Sequence, residues 1–309
     1  MKHITEIRNK TLDNIEKRRA GKVISFKTPF PKLNKKLING IDYGSLILLG
    51  GKSGAGKTAV ADQIVSNNKE RNGGKEVPIL KFQFEMTDEQ TGVRELTAVT
   101  QLSMQQLYSA EEGFTLDDYH IETIKAFYEK NKDEQIWQIS ESKTTRQFEA
   151  AVIEFYKKVN TPFIVYLDHS ILTNKSADEA STLDTLYSLC KVTNRLKKVM
   201  PVIFIILTQM NRSLDDISRR ENGRSANFPT KSDIFGGDAL YQFADVVLIL
   251  MRPAADGIQY YGPTKYIVDK SHIIMHILKN RWGNPHMLFF EEDLKHFRIK
   301  ECAPPNQQS

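Results

Sequence analysis

Residues Gly51-Lys52-Ser53-Gly54-Ala55-Gly56-Lys57-Thr58 satisfy the spacing G-x-x-x-x-G-K-[ST] without a mismatch. Their flanks supply the context that this spacing requires. Leu46-Ile47-Leu48-Leu49 is an apolar run that reads as a buried strand, and Ala59, Val60, Ala61, Ile64 and Val65 give the following helix an apolar face. In a strand–loop–helix of this kind the glycines let backbone N–H groups wrap a polyphosphate, and the helix turns its positive end toward it. Lys57 is expected to reach the β- and γ-phosphates and Thr58 to hold Mg²⁺. By average residue usage the bare pattern arises by chance in about one chain in a hundred of this length, and the flanks lower that further. A nucleoside triphosphate is the expected ligand, with Gly51, Ser53, Gly54, Ala55, Gly56, Lys57 and Thr58 as its binding residues.

At 309 residues the chain has room for one large domain or two small ones. With 40% hydrophobic and 26% charged residues it has the composition of a soluble globular protein. No apolar run is long enough to span a bilayer, and Met1-Lys2-His3-Ile4-Thr5-Glu6 leads into charges, so neither a membrane location nor a secretory signal is expected. Two cysteines, Cys190 and Cys302, make no disulfide framework and no metal cluster. Cys190 falls in a helical pattern and reads as buried filler. A reducing cytoplasm, bacterial or that of a phage-infected host, is the expected setting. A net charge of +5 permits contact with nucleic acid without arguing for it.

From Ser45 onward apolar strand candidates alternate with helical patterns. The strands are Leu46 to Leu49, Ile79 to Phe84, Ile136 to Ile139, Phe163 to Leu167, Val202 to Leu207 and Val246 to Met251, with helices such as Thr145 to Val159 and Leu183 to Val199 between them. This alternation predicts an α/β fold, a mainly parallel sheet with helices on both faces. His272 to Lys279 and His286 to Glu291 flank Asn280-Arg281-Trp282-Gly283-Asn284 and predict a C-terminal β-hairpin. Ile4 to Arg19 reads as a helix whose Ile4, Ile7, Leu12 and Ile15 fall within an arc of about 140°, a stripe that needs a surface to bury against. Two stretches are polar loops, Thr173 to Ser181 and Ser213 to Ser232, the second carrying Arg219, Arg220, Arg224 and Lys231. Loops of that length tend to be functional or mobile.

Phosphate binding alone is not turnover; hydrolysis also needs an acid that anchors the metal and a group that polarises water. The run Phe163-Ile164-Val165-Tyr166-Leu167 ends in Asp168, the pattern of such an acid. The run Ile79-Leu80-Lys81-Phe82-Gln83-Phe84 ends in Glu85, after which Thr87 and Gln90 have the spacing of a helix capping box. That leaves Glu85 outside the helix, at the carboxyl end of a strand, where open α/β sheets put ligand chemistry. A carboxylate there can act as the base toward water. Gln209, just beyond the run Val202 to Leu207, is a neutral amide suited to sensing a γ-phosphate by hydrogen bonding.

Taken in order, these segments resemble the RecA-like motor domain of the DnaB-type replicative hexameric DNA helicases. FQFEM (Phe82 to Met86) is similar to that family's strand with its catalytic glutamate, and YLDHSILT (Tyr166 to Thr173) to its metal-anchoring strand. LTQMNRSL (Leu207 to Leu214) resembles its sensor-glutamine segment, and SDIFGGDALYQFADVVLILMRP (Ser232 to Pro253) its DNA-loop segment and the next strand. ILKNRWGNP (Ile277 to Pro285) resembles the hairpin that reaches a neighbouring subunit's nucleotide, and KTPFPKLNKKLINGIDYGSL (Lys27 to Leu46) the lead-in to the phosphate loop. The resemblance covers roughly Phe26 to Ile299.

What it implies is a RecA-like P-loop NTPase using ATP and Mg²⁺. Lys57, Glu85 and Gln209 would be catalytic, Thr58 and Asp168 would hold the metal, and Arg281 would be an arginine finger acting in trans with Lys279 beside it. DNA contacts would fall on Arg212, Arg219, Arg220, Phe235, Gly236 and Gly237. The implied partners are single-stranded DNA, further copies of the same chain in a homo-hexameric ring, and a primase or loader. Residues 1–24 would be a linker-type helix, 25–301 the motor domain and 302–309 a flexible tail. In two respects the chain departs from the pattern. The family's large N-terminal domain has no counterpart before the linker segment, and Phe235 stands where the family's DNA loop usually carries an arginine. A RecA-type recombination ATPase, or a nucleotide-gated assembly protein without unwinding activity, are the alternative readings.

Overall fold

The computed structural model describes residues 1, 3–22, 25–111, 113, 115–170, 174–176, 179–221 and 227–307. Arg224, and residues 171–173 and 177–178 of the segments quoted above, lie outside the described residues. The chain runs through α1 (Ile4–Arg19), a short antiparallel pair β1 (Ser25–Phe26) and β2 (Ile41–Asp42) around α2 (Pro31–Lys36), then β3 (Ser45–Gly51), α3 (Lys57–Val65), α4 (Asn68–Arg71) and β4 (Ile79–Gln83). Next come α5 (Asp88–Thr100), α6 (Met104–Tyr108) and α7 (Asp118–Asn131), before β5 (Ile136–Ile139). Alternation resumes with α8 (Thr145–Val159), β6 (Phe163–Asp168), α9 (Thr182–Val199), β7 (Val202–Thr208), α10 (Gly237–Phe243) and β8 (Val246–Met251). The last strands are β9 (Tyr260–Tyr261), β10 (Tyr266–Ile267), β11 (His272–Asn280), β12 (His286–Asp293) and β13 (Arg298–Cys302).

Nine strands form one sheet in the order β13-β12-β11-β8-β3-β7-β6-β4-β5. From β8 to β5 neighbouring strands are parallel; β11 joins β8 antiparallel, and β12 and β13 continue that way. The mainly parallel sheet with a terminal hairpin is therefore what the sequence pattern predicted. The reason is visible in β3, β6, β7 and β8, which are buried along their whole lengths. Strands covered on both faces have no polar side to alternate with, and read as unbroken apolar runs. On one face Phe82, Phe148, Leu186, Leu189, Cys190 and Phe204 pack with α8 and α9; on the other Ile47, Val60, Ile64, Ile164 and Phe290 pack with α2 and α3. Truncating a fully buried ring such as Phe204 to alanine would cost about 3–5 kcal/mol.

The chain leaves β3 toward β4 on one side, while β8 docks on the other side of β3. Such a switch opens a crevice at the carboxyl ends of the strands. The antiparallel end of the sheet is fastened to the rest by polar contacts. Gln63 and Ile299 exchange two hydrogen bonds, Gln63 Nε2 to Ile299 O at 3.2 Å and Ile299 N to Gln63 Oε1 at 2.8 Å. Glu301 accepts from the N–H groups of Lys32 and Leu33 at 2.8 and 2.9 Å, capping the start of α2 from β13.

Two segments differ from expectation in their surroundings. The C-terminal stretch is tied down where it is described: Cys302 belongs to β13, Ile267 N donates to Asn306 O at 2.8 Å, and Gln307 bridges Tyr266. The open edge of β10 offers backbone groups that need partners, and the tail supplies them. Helix α1 forms as predicted but buries no residue, and Ile4, Ile7, Leu12 and Ile15 are each about half exposed. Arg18 near its end pairs with Asp42 of the body at 2.7 Å.

Candidate active site

Five of the singled-out residues meet at the carboxyl ends of the parallel strands. The loop from Gly51 to Lys57 joins β3 to the N-terminus of α3. Gly56 is the helix N-cap at φ +89°, a backbone conformation that calls for glycine, and a Cβ there would meet the tip of Leu294, from the β12–β13 connection, at 2.9 Å. Lys57 Nζ donates to the carbonyls of Gly51 and Lys52, each at 3.0 Å. Burial pulls the Lys57 ammonium below its ordinary pKa, and the carboxylates of Asp168 and Glu85 oppose that shift.

Thr58 Oγ1 donates to Asp168 Oδ2 at 2.8 Å. Asp168 ends β6 and is 1% exposed. Gln83 Nε2 and Tyr166 OH each lie 3.4 Å from the same oxygen. Burial pushes the Asp168 carboxyl above the usual carboxylate range, the Thr58 hydrogen bond works against this, and Asp62 and Glu85 add to it. Among the described residues no cluster of three acidic, histidine or cysteine side chains forms a protein cage for a metal. One hydroxyl and one carboxylate side by side suit a hard divalent cation that keeps waters and shares its shell with phosphate oxygens, which is how Mg²⁺ is usually held.

Strand β4 stops at Gln83 and α5 begins at Asp88, fixed by the capping box of Thr87 and Gln90, with N–H to side-chain oxygen distances of 3.1 and 3.2 Å. Glu85 is left outside the helix and exposed, close enough for its charge to act on Lys57, Asp168 and His169. Gln209 follows β7, with its amide nitrogen 3.4 Å from His169 Nε2. Burial lowers the His169 pKa, the carboxylates of Asp168 and Glu85 raise it, and Lys57 lowers it. His169 was missed in the sequence reading, although its place directly after the strand-end Asp168 was a signal, as were Gln83 and Tyr166 on the two acid-bearing strands.

The segment after Gln209 is laced to the stretch that resembles a DNA loop. Phe235 N donates to Gln209 O at 3.0 Å, Asn211 N to Asp233 O at 2.6 Å, and Asn211 Nδ2 to Ser232 O and Ile234 O. Phe235 is half-buried against the core, Gly236 packs on Leu186 at φ +65°, and Gly237 approaches the Lys231 carbonyl too closely for a Cβ. Arg219 is an internal brace: both its Nη groups bind Asp233, and Nη2 donates to Phe228 O at 2.9 Å. Burial works against the Asp233 charge, yet the Arg219 and Thr230 hydrogen bonds hold its carboxyl below the ordinary value. Arg212 and Arg220 are exposed.

Arg281 and Lys279 stand elsewhere. Arg281 N donates to Asp245 O, and Asp245 N donates to Leu46 O, so Arg281 is level with the beginning of β3. Gly51 is five residues further along that strand, about 17 Å away. The Arg281 side chain contacts Asp245, Nε to Oδ1 at 3.2 Å, while Asp245 Oδ2 also meets Lys197 Nζ at 2.5 Å. Lys279 Nζ donates to the carbonyls of Tyr241 and Gln242 at 2.6 and 3.0 Å, at the end of α10. Burial lowers its pKa, with the charge of Arg281 adding to that. Within one chain the hairpin cations and the phosphate loop do not meet.

The sequence matches the model for the DnaB-like helicase C terminal domain over residues 25–298. Among curated proteins it is 28% identical over 256 residues to the replicative DNA helicase DnaB of Helicobacter pylori, covering 81% of this chain and 49% of that protein. It is 24% identical over 254 residues to the DnaB of Buchnera aphidicola subsp. Baizongia pistaciae, covering 81% and 52%. The chain thus spans about half the length of the curated relatives it matches. In fold it is similar to the ATPase domain of G40P, with TM-score 0.78, 15% identity, and 96% and 98% of the two chains covered. It is similar also to a DnaB-like replicative helicase solved for its interactions with primase, with TM-score 0.77, 16% identity and 97% and 67% coverage.

Proposed function

Because the chain belongs to the family of DnaB-like helicase C-terminal domains, we propose that it is the ATP-driven motor of a replicative DNA helicase, working as a hexameric ring on single-stranded DNA. The observation that carries this reading is the division of the catalytic set between opposite ends of one sheet. Lys57, Thr58, Glu85, Asp168 and Gln209 share the carboxyl end, while Arg281 lies about 17 Å and Lys279 about 10 Å back along the strands. A chain divided in this way completes its site only by meeting a second copy.

Each residue has a chemical role in that arrangement. Lys57 neutralises phosphate oxygens, Thr58 and Asp168 hold Mg²⁺, and Glu85 takes the proton of an attacking water. Mg²⁺, when bound, supplies positive charge to the phosphate oxygens. Gln209 senses the γ-phosphate, and through the hydrogen bonds of Phe235 and Asn211 it is joined to the 232–237 stretch. Arg281 of one subunit neutralises charge at the next subunit's site. Strand contacts fall on the exposed Arg212 and Arg220 and on the loop of Phe235, Gly236 and Gly237, with Arg219 holding that loop in shape.

Helix α1 is the linker in this reading, and residues 25–301 the motor. A groove of about 370 Å³ between α3, α5 and α7, lined in part by Val99, Tyr128 and Ile136, carries Glu95 and Glu134. Burial and the neighbouring acids push both carboxyls upward. The groove also holds Lys81, Arg94 and Lys132, and its mixture of apolar and charged side chains offers a seat for the apolar stripe of α1 from a neighbouring copy. Removing residues 1–20 should therefore weaken assembly in native mass spectrometry with an ATP analogue; an unchanged oligomer removes α1 from the interface. A primase or loader is the partner class suggested by the relative solved with primase, and the cytoplasm the location. No helix among the described residues is long and apolar enough to cross a membrane.

The deciding measurement is strand displacement on a forked DNA substrate alongside ATP turnover on single-stranded DNA. A protein that turns over ATP on the single strand but never displaces a paired one is not a helicase motor.

A further inference from the structure

Lys52, inside the phosphate loop, has no role in the site described above, yet its ammonium is held by two carboxylates from distant parts of the chain. Lys52 Nζ lies 2.8 Å from Asp215 Oδ1, and 2.9 Å from each carboxylate oxygen of Asp256. Asp256 follows β8 and its side chain is 20% exposed; Asp215 follows β7 and is 54% exposed. The Lys52 carbonyl in turn accepts from Lys57 Nζ at 3.0 Å. On the other side, Arg220 Nη2 donates to the Asp215 carbonyl at 3.1 Å, and the same short turn begins with Arg212. Three successive contacts therefore lead from an exposed guanidinium to the ammonium that faces the phosphates.

We infer that Asp215 is a positioning residue that carries single-stranded DNA binding on Arg212 and Arg220 to the phosphate loop through Lys52. The inference rests on the helicase-motor reading. Electrostatics fixes its direction. The Lys52 hydrogen bond holds the Asp215 carboxyl below its ordinary range, and the charges of Arg220 and Arg212 act on it as well. Those two guanidinium groups compete with Lys52 for the carboxylate. When DNA phosphates neutralise them, Asp215 draws Lys52 more strongly and away from Asp256, and the loop carbonyl that holds Lys57 moves with it. The turn of Asp256 begins at Arg252, but that guanidinium is engaged by Gly54 O at 3.2 Å and Glu292 Oε1 at 3.1 Å, so Asp256 acts as the fixed anchor against which Asp215 pulls. An exposed ion pair contributes little to folding, so the contact matters through geometry rather than stability.

The test uses the full chain, Mg·ATP and oligodeoxythymidine, comparing wild type with Asp215→Asn, Asp215→Glu and Asp256→Asn. Wild type is expected to be stimulated by the oligonucleotide about fivefold or more, the scale of a modest coupling between sites. Asp215→Asn should keep its unstimulated rate and its KM for ATP within about twofold and still bind the oligonucleotide, but lose the stimulation of kcat. Asp215→Glu should restore stimulation, since the charge returns. Asp256→Asn should remain stimulated, because Asp215 still holds Lys52. Stimulation of Asp215→Asn equal to wild type overturns the inference, as does failure of Asp215→Glu to restore it. If wild type itself neither binds nor responds to the oligonucleotide, the motor reading has failed, and the wild-type arm alone reveals that.

Discussion

Arg281 rests against Asp245 of its own chain, Nε to Oδ1 at 3.2 Å, and Asp245 does not depend on it. Asp245 Oδ2 is already paired with Lys197, both side chains being under a tenth exposed, and also accepts from the N–H of Leu46 at 2.8 Å. Withdrawing Arg281 therefore leaves no orphaned buried charge. The arginine side chain is 52% exposed, and an ion pair so exposed is typically worth at most about 1 kcal/mol. Arg281 is held in place but cheaply released, which suits the proposed role toward a neighbouring copy.

Complementation tests that geometry. Arg281→Ala alone should lower ATP turnover by about 10³–10⁵-fold, the range for an arginine finger. Lys57→Ala alone should be inactive through loss of its own phosphate contact. Mixed, the two should regain part of the activity, since intact Lys57 from one variant can meet intact Arg281 from the other. Absence of recovery at every mixing ratio would count against catalysis across subunits.

Glu85→Gln removes the proposed base without altering the capping box of Thr87 and Gln90 that leaves residue 85 outside α5. Nucleotide affinity should hold, and turnover should fall about 10²–10⁴-fold. Retained turnover in a phosphate-release assay would take Glu85 out of the mechanism.

Asp168→Asn should make the protein more stable and inactive. Burial raises the Asp168 pKa, so the charged form is disfavoured in the native state, and that penalty is present at all pH values above the raised pKa. The amide should therefore melt higher than wild type at pH 7, and the gap should close as acid protonates the wild-type carboxyl. A variant that melts lower at pH 7 would mean that the ionised Asp168 stabilises the fold.

His276 offers a pH prediction away from the site. It is buried, its Nε2 is 2.8 Å from Tyr261 OH, and burial drives its pKa down to about 3. The unfolded chain protonates this side chain near its ordinary value of about 6.5 while the native state keeps it neutral. Stability is therefore lost as pH falls from about 6.5 toward 3, by up to about 1.4 kcal/mol per pH unit from this group. In urea melts at pH 7 and pH 5, His276→Gln should show a smaller difference between the two than wild type does.

The strands that hold the site could be read from the sequence because burial on both faces leaves a local mark. Leu46 to Leu49, Phe163 to Leu167, Val202 to Leu207 and Val246 to Met251 are continuous apolar runs, and each lies within a buried strand. Loop chemistry was legible where a fixed spacing enforces it, as at Gly51 to Thr58 and at Thr87 with Gln90. Long-range polar pairs leave no such trace. Lys52 and Asp256 are 204 residues apart, and nothing near either of them announces the other. Arg219 looked like a free cation in a polar loop because its partner Asp233 lies 14 residues on, across a turn that no periodicity describes. Small edge strands such as β9 and β10 also escaped, since two residues carry too little pattern to recognise.

The hairpin of β11 and β12 links the two ends of the sheet in a mechanical sense. At one end Leu294, just past β12, bears on Gly56 at the start of α3, and Ile299 is locked to Gln63 about two turns further along that helix. At the other end, past the eight residues of β12, lies the turn that carries Arg281. Eight residues of strand make a stiff beam of about 26 Å. A tilt of α3 is not absorbed along such a beam but reappears, displaced, at the tip that carries Arg281, which in the proposed ring would face the next subunit. In a closed ring each beam would end beside the helix that moves the following one, so the order of firing around the ring would be set by leverage and not by diffusion.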